Sequence, residues 1–192
     1  MDEKNKNGIV VEFFQWIKVI LTAIVIALVV RAFLFEPVIV LGSSMENTLF
    51  SNERLIVSKI TYLLREPKRG EIIVLKYMAG KESLISRVFP PSNEVDYIKR
   101  VIGVPGDEID IRDGKVYING EELEESYTKG STYAKDVKMP LVVPDDSYFV
   151  MGDNRENSND SRAEAVGLIP MSRIKGKAVL RIWPLSKLGF IK

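Results

Sequence analysis

The stretch Glu108-Ile-Asp-Ile-Arg-Asp-Gly-Lys-Val-Tyr-Ile-Asn119 decides the fold class. Apolar residues alternate with polar ones on both sides of Asp113-Gly114, with Ile109 and Ile111 before it and Val116 and Ile118 after it. A period of two marks a half-buried strand. An Asp-Gly pair tolerates the positive φ angles that a tight two-residue turn demands. The stretch therefore predicts a β-hairpin with arms Glu108–Arg112 and Lys115–Asn119.

Outward from the hairpin the same texture continues. Pro105-Gly106 is a second turn signal. Short β-rich runs fall at Val38–Leu41, Arg54–Val57, Glu71–Lys76, Leu84–Val88 and Asp96–Ile102, and again at Ser147–Met151 and Lys177–Trp183. Many short strands at close spacing predict a mainly β fold, an antiparallel sheet or barrel. The acidic stretch Glu121–Asp136, with its Gly and Ser, reads as a surface excursion.

The N-terminal region differs. From Phe13 to Phe35 only Lys18 and Arg31 are charged. The centre, Val19 to Val30, is apolar apart from Thr22; by itself it is short for a bilayer span and suits a buried core helix. The full stretch is long enough to cross a bilayer with some tilt. Lys18 and Arg31 stand near its ends, where long side chains snorkel to headgroups. Phe13, Phe14 and Trp16 at one end and Phe33 and Phe35 at the other form an aromatic belt. A cleavable signal peptide needs a small-residue site after the apolar run, and Ala32-Phe33-Leu34-Phe35-Glu36 is a poor one. The expectation is an uncleaved transmembrane anchor at 13–35 behind a cytoplasmic tail at 1–12. Lys4, Lys6 and Lys18 against Arg31 and Arg54 favour an inner N-terminus and an exported domain at 36–192.

Composition narrows the chemistry. Lys+Arg number 27 against 26 Asp+Glu, a net charge of +1 over 192 residues. Nothing in that balance attracts nucleic acid. With 46% hydrophobic residues the chain can build a core. Cys and His are both absent, so there is no Cys nucleophile, Cys- or His-ligated metal, or Ser-His-Asp triad. Hydrolysis here needs Lys, a carboxylate or a hard cation.

Three segments can carry chemistry, and each also has an ordinary reading. Leu41-Gly42-Ser43-Ser44-Met45-Glu46-Asn47-Thr48-Leu49 runs from an apolar strand into a turn. A serine there can be exposed beside backbone N–H groups fit to hold an oxyanion, or the segment is simply a Ser/Thr-rich turn. In Asp96-Tyr97-Ile98-Lys99-Arg100-Val101, alternation puts Lys99 on the side of Tyr97 and Val101. A lysine on an apolar face loses its charge readily and can serve as a base; a solvated strand lysine is the plain alternative. Gly152-Asp153-Asn154-Arg155-Glu156-Asn157-Ser158-Asn159-Asp160-Ser161-Arg162 follows an apolar strand. It fails as a calcium loop, because Arg155 holds a ligand position and the required glycine is missing. It reads as a self-bonded polar platform, with Asp160 and Arg162 paired and Ser158 orienting a nearby amine, or as a solvated loop.

Together, in this order and behind the anchor, the segments resemble the bacterial type I signal peptidases, the S26 serine proteases. The similarity runs from the anchor to the C-terminus. It rests on Ser44-Met45 with Thr48-Leu49, on Tyr97-Ile98-Lys99-Arg100 before Gly103-Val104-Pro105-Gly106-Asp107, and on the segment from Gly152 to Arg162. The resemblance implies a membrane-held β fold with a Ser/Lys dyad and no metal or organic cofactor. Ser44 matches the nucleophile and Lys99 the general base. Ser158 matches the hydroxyl that orients the lysine, and Arg100 with Asp153 and Asp160 with Arg162 match structural ion pairs. Val40, Met45, Leu49, Tyr97 and Ile98 match the lining of shallow pockets, with Gly42 at the oxyanion side. The family varies most in length where Asp110–Val142 fall, within the hairpin excursion at about 108–146. Two departures stand out. Asn47 occupies a position where the family usually has Pro, and Gly42 one where two-anchor members carry a hydroxyl.

The implied partners are signal-peptide-bearing preproteins and the lipid bilayer of the cell membrane, with the catalytic domain on the outer face. The implied cut follows small-x-small sites. A membrane-anchored β-rich binding module without activity is the alternative of a different class. A self-cleaving repressor, another Ser/Lys protease, lacks an anchor and carries a DNA-binding region.

Overall fold

The computed structural model describes residues 3–76 and 96–191. Helix α1 runs over Glu3–Phe33. Its apolar window Glu12–Phe33 has 22 residues, of which only Ala32, at the C-terminal end, is buried against the rest of the protein. At 1.5 Å per residue that window spans about 33 Å, close to a bilayer's hydrocarbon thickness. An apolar helix with almost no protein cover fits a membrane anchor better than a core helix. The helix stops at Phe33, two residues short of the expected end, because Phe35 already pairs with Ser58 in the first strand.

The strands are β1 Phe35–Ile39, β2 Arg54–Ser58, β3 Ile72–Lys76, β4 Asp96–Gly103, β5 Glu108–Arg112 and β6 Lys115–Ile118, then β7 Glu121–Glu122, β8 Leu141–Val142, β9 Ser147–Met151, β10 Ile169–Pro170, β11 Ile174–Trp183 and β12 Gly189–Phe190. Among the described residues they form an eight-stranded sheet in the order β1-β2-β11-β3-β4-β9-β10, with β12 on β11, and a four-stranded sheet β7-β6-β5-β8. Every strand pairing is antiparallel. The mainly β antiparallel fold is the one the sequence predicts. The run expected at Leu84–Val88 lies outside the described residues.

The opening hairpin forms with Arg112 opposite Lys115, and Asp113 and Gly114 take φ of 52° and 77°. The first strand differs from expectation. It covers Phe35–Ile39 rather than Val38–Leu41, with Pro37 inside it. Because β1 is an edge strand, the N–H that Pro37 lacks costs no ladder bond. Leaving the strand, Val40 and Leu41 lead directly into the serine turn.

Three apolar clusters hold the sheets. Val40, Met45, Leu49, Leu55, Val57, Val74 and Ile98 pack beneath the serine turn. Ile73, Leu75, Val101, Tyr148, Val150 and Ile169 fill the opposite face of the main sheet. Ile102, Ile109, Ile111, Val116, Phe149 and Met151 join the two sheets. Strand β4 feeds all three clusters and is buried from Ile98 to Gly103. A strand packed on both faces is the rigid place on which Lys99 and Arg100 sit.

Candidate active site

The serine turn, the middle of β4 and the loop after β9 converge. Lys99 Nζ donates to Ser44 Oγ at 2.9 Å and to the Ile98 carbonyl at 3.1 Å. Only 4% of Lys99 is exposed. Burial lowers its pKa from 10.5 to about 8, with help from the Lys135 and Arg162 charges and against the pull of Asp160 and Asp153. Burial penalises the ammonium, so a large fraction of Lys99 is neutral at mildly alkaline pH. The Tyr97 ring lies 5.3 Å from the same nitrogen, on the shared face of β4.

The loop after β9 grips the serine turn through its backbone. Asn154 N–H donates to the Ser44 carbonyl at 3.0 Å, and Asn154 Nδ2 to the Ser43 carbonyl at 3.1 Å. Asn157 Nδ2 donates to Ser43 Oγ at 2.6 Å. Gly152 lies between the two segments. A Cβ there would meet Ser158 Oγ at 2.3 Å and the Ser44 carbonyl oxygen at 2.4 Å. Glycine at this position lets the turn and the loop touch.

Two buried ion pairs brace the site. Arg100 makes bonds of 2.9 and 2.7 Å to the two oxygens of Asp153, and its third nitrogen donates to the Gly70 carbonyl at 2.7 Å. The Thr48 hydroxyl donates to Asp153 as well, tying the end of the serine turn to the pair. Arg162 bonds both oxygens of Asp160 at 2.8 Å, and Gly152 N–H donates to Asp160 at 3.1 Å. Burial works against the Asp160 charge, but Arg162 and the Gly152 N–H outweigh it and hold the carboxyl below its ordinary range. Bidentate guanidinium–carboxylate pairs fix orientation as well as charge.

The other expected residues divide. Val40, Gly42, Met45, Tyr97 and Ile98 line a cavity of about 40 Å³ that also meets Ser44 and Lys99. Leu49 does not line it; its side chain is fully buried in the cluster below. Ser158 is buried beside Gly152 and favours the charged form of Asp160, yet its hydroxyl has no partner at hydrogen-bond geometry and makes no bond to Lys99.

The stretch read as a surface excursion instead packs against the site. Lys129 pairs with Glu46 at 2.8 Å, Asn47 Nδ2 donates to the Thr128 carbonyl at 3.2 Å, and Lys129 bridges to Asn154. Arg155 is completely buried, bonding Glu125 at 2.7 Å and Thr132 at 2.8 Å. The Tyr127 ring lies 3.9 Å from the Arg100 guanidinium carbon. Sequence reading missed these contacts. No local signal marked them, because Arg155 stands between Asp153 and Glu156 in sequence while its actual partner, Glu125, lies 30 positions away.

Chemically, a desolvated amine against a serine hydroxyl at the mouth of a narrow cavity is an arrangement suited to nucleophilic attack on a carbonyl. The profile of the signal peptidase family, peptidase S26, matches residues 13–183. Signal peptidase I of Bacillus licheniformis is 38% identical over 98% of this chain and 98% of its own length. Signal peptidase I of Leptolyngbya laminosa is 42% identical over 91% of this chain and 82% of its own length. A crystal structure of a signal peptidase I from Enterococcus faecalis is 30% identical, covers 59% of this chain and 97% of that chain, and superposes with a TM-score of 0.41. On the profile match and the nearly full-length relatives, the chain belongs to the signal peptidase family of serine endopeptidases, peptidase S26.

Proposed function

We propose that this serine endopeptidase removes signal peptides from exported preproteins by a Ser44/Lys99 dyad, cutting after small-x-small sites. The observation that carries this reading is the 2.9 Å contact between Ser44 Oγ and the Nζ of buried Lys99. Neutral Lys99 takes the Ser44 hydroxyl proton as Oγ attacks the scissile carbonyl. The tetrahedral oxyanion collapses, and the Lys99 ammonium returns the proton to the departing amine. Lys99 then takes a proton from the water that attacks the acyl-enzyme and gives it to Ser44 Oγ as the acyl group leaves. The Ser44 backbone N–H, at the glycine side of the turn, is the donor assigned to the oxyanion, a contact worth roughly 3 kcal/mol.

Specificity follows from size. The cavity beside Ser44 holds about 40 Å³ and is lined by Val40, Met45, Tyr97 and Ile98. That volume suits a methyl group and rejects larger side chains by overlap. An extended substrate segment pairs along the chain at 38–42 and 96–98, where strand edges flank the cavity.

The anchor reading supports the same function. Helix α1 crosses the cell membrane with residues 1–12 inside, and 36–192 form the outer domain. Ile39, Leu41, Trp183, Leu185, Leu188 and Phe190 are all at least half exposed. They belong to or adjoin β1, β11 and β12 of one sheet, a surface that lies against lipid headgroups. Membrane attachment places the cleft where signal helices are embedded and raises their effective concentration.

The test is cleavage of a preprotein by the detergent-solubilised protein, with N-terminal sequencing of the product. Cutting directly after Ala-x-Ala, abolished when either alanine becomes leucine, is the expected result. Cutting indifferent to those side chains sinks the specificity. A folded protein that binds the preprotein without cutting it favours the binding-module alternative.

A further inference from the structure

Strand β4 carries two basic residues in succession, and they do different things. Lys99 reaches Ser44, while Arg100 turns to Asp153 on the other side of the strand. The Arg100 guanidinium uses its edges on Asp153 and the Gly70 carbonyl. Its flat face is covered by Tyr127, 3.9 Å away. An aromatic face over a guanidinium both attracts the cation and keeps water from the ion pair.

Tyr127 does not stand alone. Its hydroxyl donates to Glu125 Oε1 at 2.8 Å. Burial, then the Glu125 charge, push that hydroxyl's pKa up, so it stays a donor. Glu125 in turn holds Arg155, whose Nε donates to the Gly152 carbonyl at 3.1 Å. One short strap, residues 125–127, thus touches the residue after Lys99 and the residue that holds Gly152.

We propose that Tyr127 is a positioning residue of the reaction: with Glu125 it holds the Arg100–Asp153 pair and the Gly152 loop in the register that sets Lys99 against Ser44. The inference rests on the dyad reading above. Its physical content is order and dryness. Lys99 faces Asp153, Asp160 and Arg162 from the loop after β9, Lys135 from the strap's continuation, Tyr97 from its own strand, and the Ser44 hydroxyl. Without the ring, water enters at Arg100 and the guanidinium moves away from Asp153. The Asp153 charge then acts on Lys99 less compensated, and Lys99 is less desolvated. Both changes favour the ammonium.

The test compares Tyr127→Phe, which keeps the ring, with Tyr127→Leu, which does not, in the full chain in detergent micelles. kcat and KM for a signal-peptide substrate are measured from pH 6 to 10. Tyr127→Phe is expected within about threefold of wild type with the same acid limb. Tyr127→Leu is expected to lose roughly ten- to hundredfold in kcat with little change in KM, and its acid limb moves to higher pH. If Tyr127→Leu does not fold, Tyr127→Met fills the space without a ring and reads the same quantities. A ringless variant with wild-type kcat, or one that loses rate with its limb unmoved, overturns the proposal. Failure of the dyad reading is distinct: the wild type then shows no acid limb, or Lys99→Ala still cuts.

Discussion

Lys99 Nζ sits 2.9 Å from Ser44 Oγ although 55 positions separate the two residues in sequence. Strand β4 fixes the first and the Asn154 grip on the Ser43 and Ser44 carbonyls fixes the second. The contact is therefore preorganised, and under the proposed dyad no rearrangement precedes attack.

Under the proposed dyad, the state of Lys99 sets the pH dependence. Burial lowers its pKa to about 8, and only the neutral amine accepts the Ser44 proton. kcat/KM should fall tenfold per pH unit well below pH 8 and flatten above it. A profile level down to pH 5 contradicts the assignment of Lys99 as base.

Gly152 is a steric requirement. A methyl group there would lie 2.3 Å from Ser158 Oγ and 2.4 Å from the Ser44 carbonyl oxygen. Because the second neighbour is backbone, Gly152→Ala must push the serine turn away. The expected cost is about 1–3 kcal/mol of stability and at least a hundredfold in kcat. Thermal melts with single-turnover kinetics check both, and an unaffected variant disproves the close contact.

Much of this was legible before any coordinates. The Asp-Gly hairpin, the apolar N-terminal helix and the order of the three polar segments were all written in local pattern. Other features were not. Asn119-Gly120, with φ of 52° and 85°, opens a further tight turn into β7; the same dipeptide logic would have found it. The packing of Glu125, Tyr127 and Lys129 against the site was invisible, because a polar strap looks alike whether water or a buried arginine receives it. Leu49 read as a pocket residue through the resemblance alone, and a position in a motif cannot tell a core wall from a cavity wall.

The Arg100–Asp153 pair should matter most when broken on one side. Side-chain exposure is 3% for Arg100 and 0% for Asp153. Asp153→Ala leaves a buried guanidinium unpaired and is expected to cost about 3–5 kcal/mol. Chemical denaturation reads this directly, and a loss below 1 kcal/mol contradicts the burial of the pair.

Acid stability has an identifiable contributor outside the dyad. Burial disfavours the Glu71 charge, but bonds from Arg65, Lys177 and the Lys68 N–H outweigh it and bring the pKa from 4.5 to about 2. A folded value below the unfolded one adds stability above pH 4.5, and that stability is lost as pH falls toward 2. Glu71→Gln should therefore be less stable than wild type at pH 7, with the gap narrowing through that window. A constant gap from pH 7 to pH 2 rules this linkage out.

The account's central claim is that Ser44 and Lys99 act as one catalytic unit. The most direct measurement is preprotein cleavage by wild type, Ser44→Ala, Lys99→Ala and the double variant, with folding checked in each. The account predicts that each single substitution removes activity almost completely and that the double variant is no worse. Cleavage that survives Lys99→Ala at a rate near wild type would contradict it.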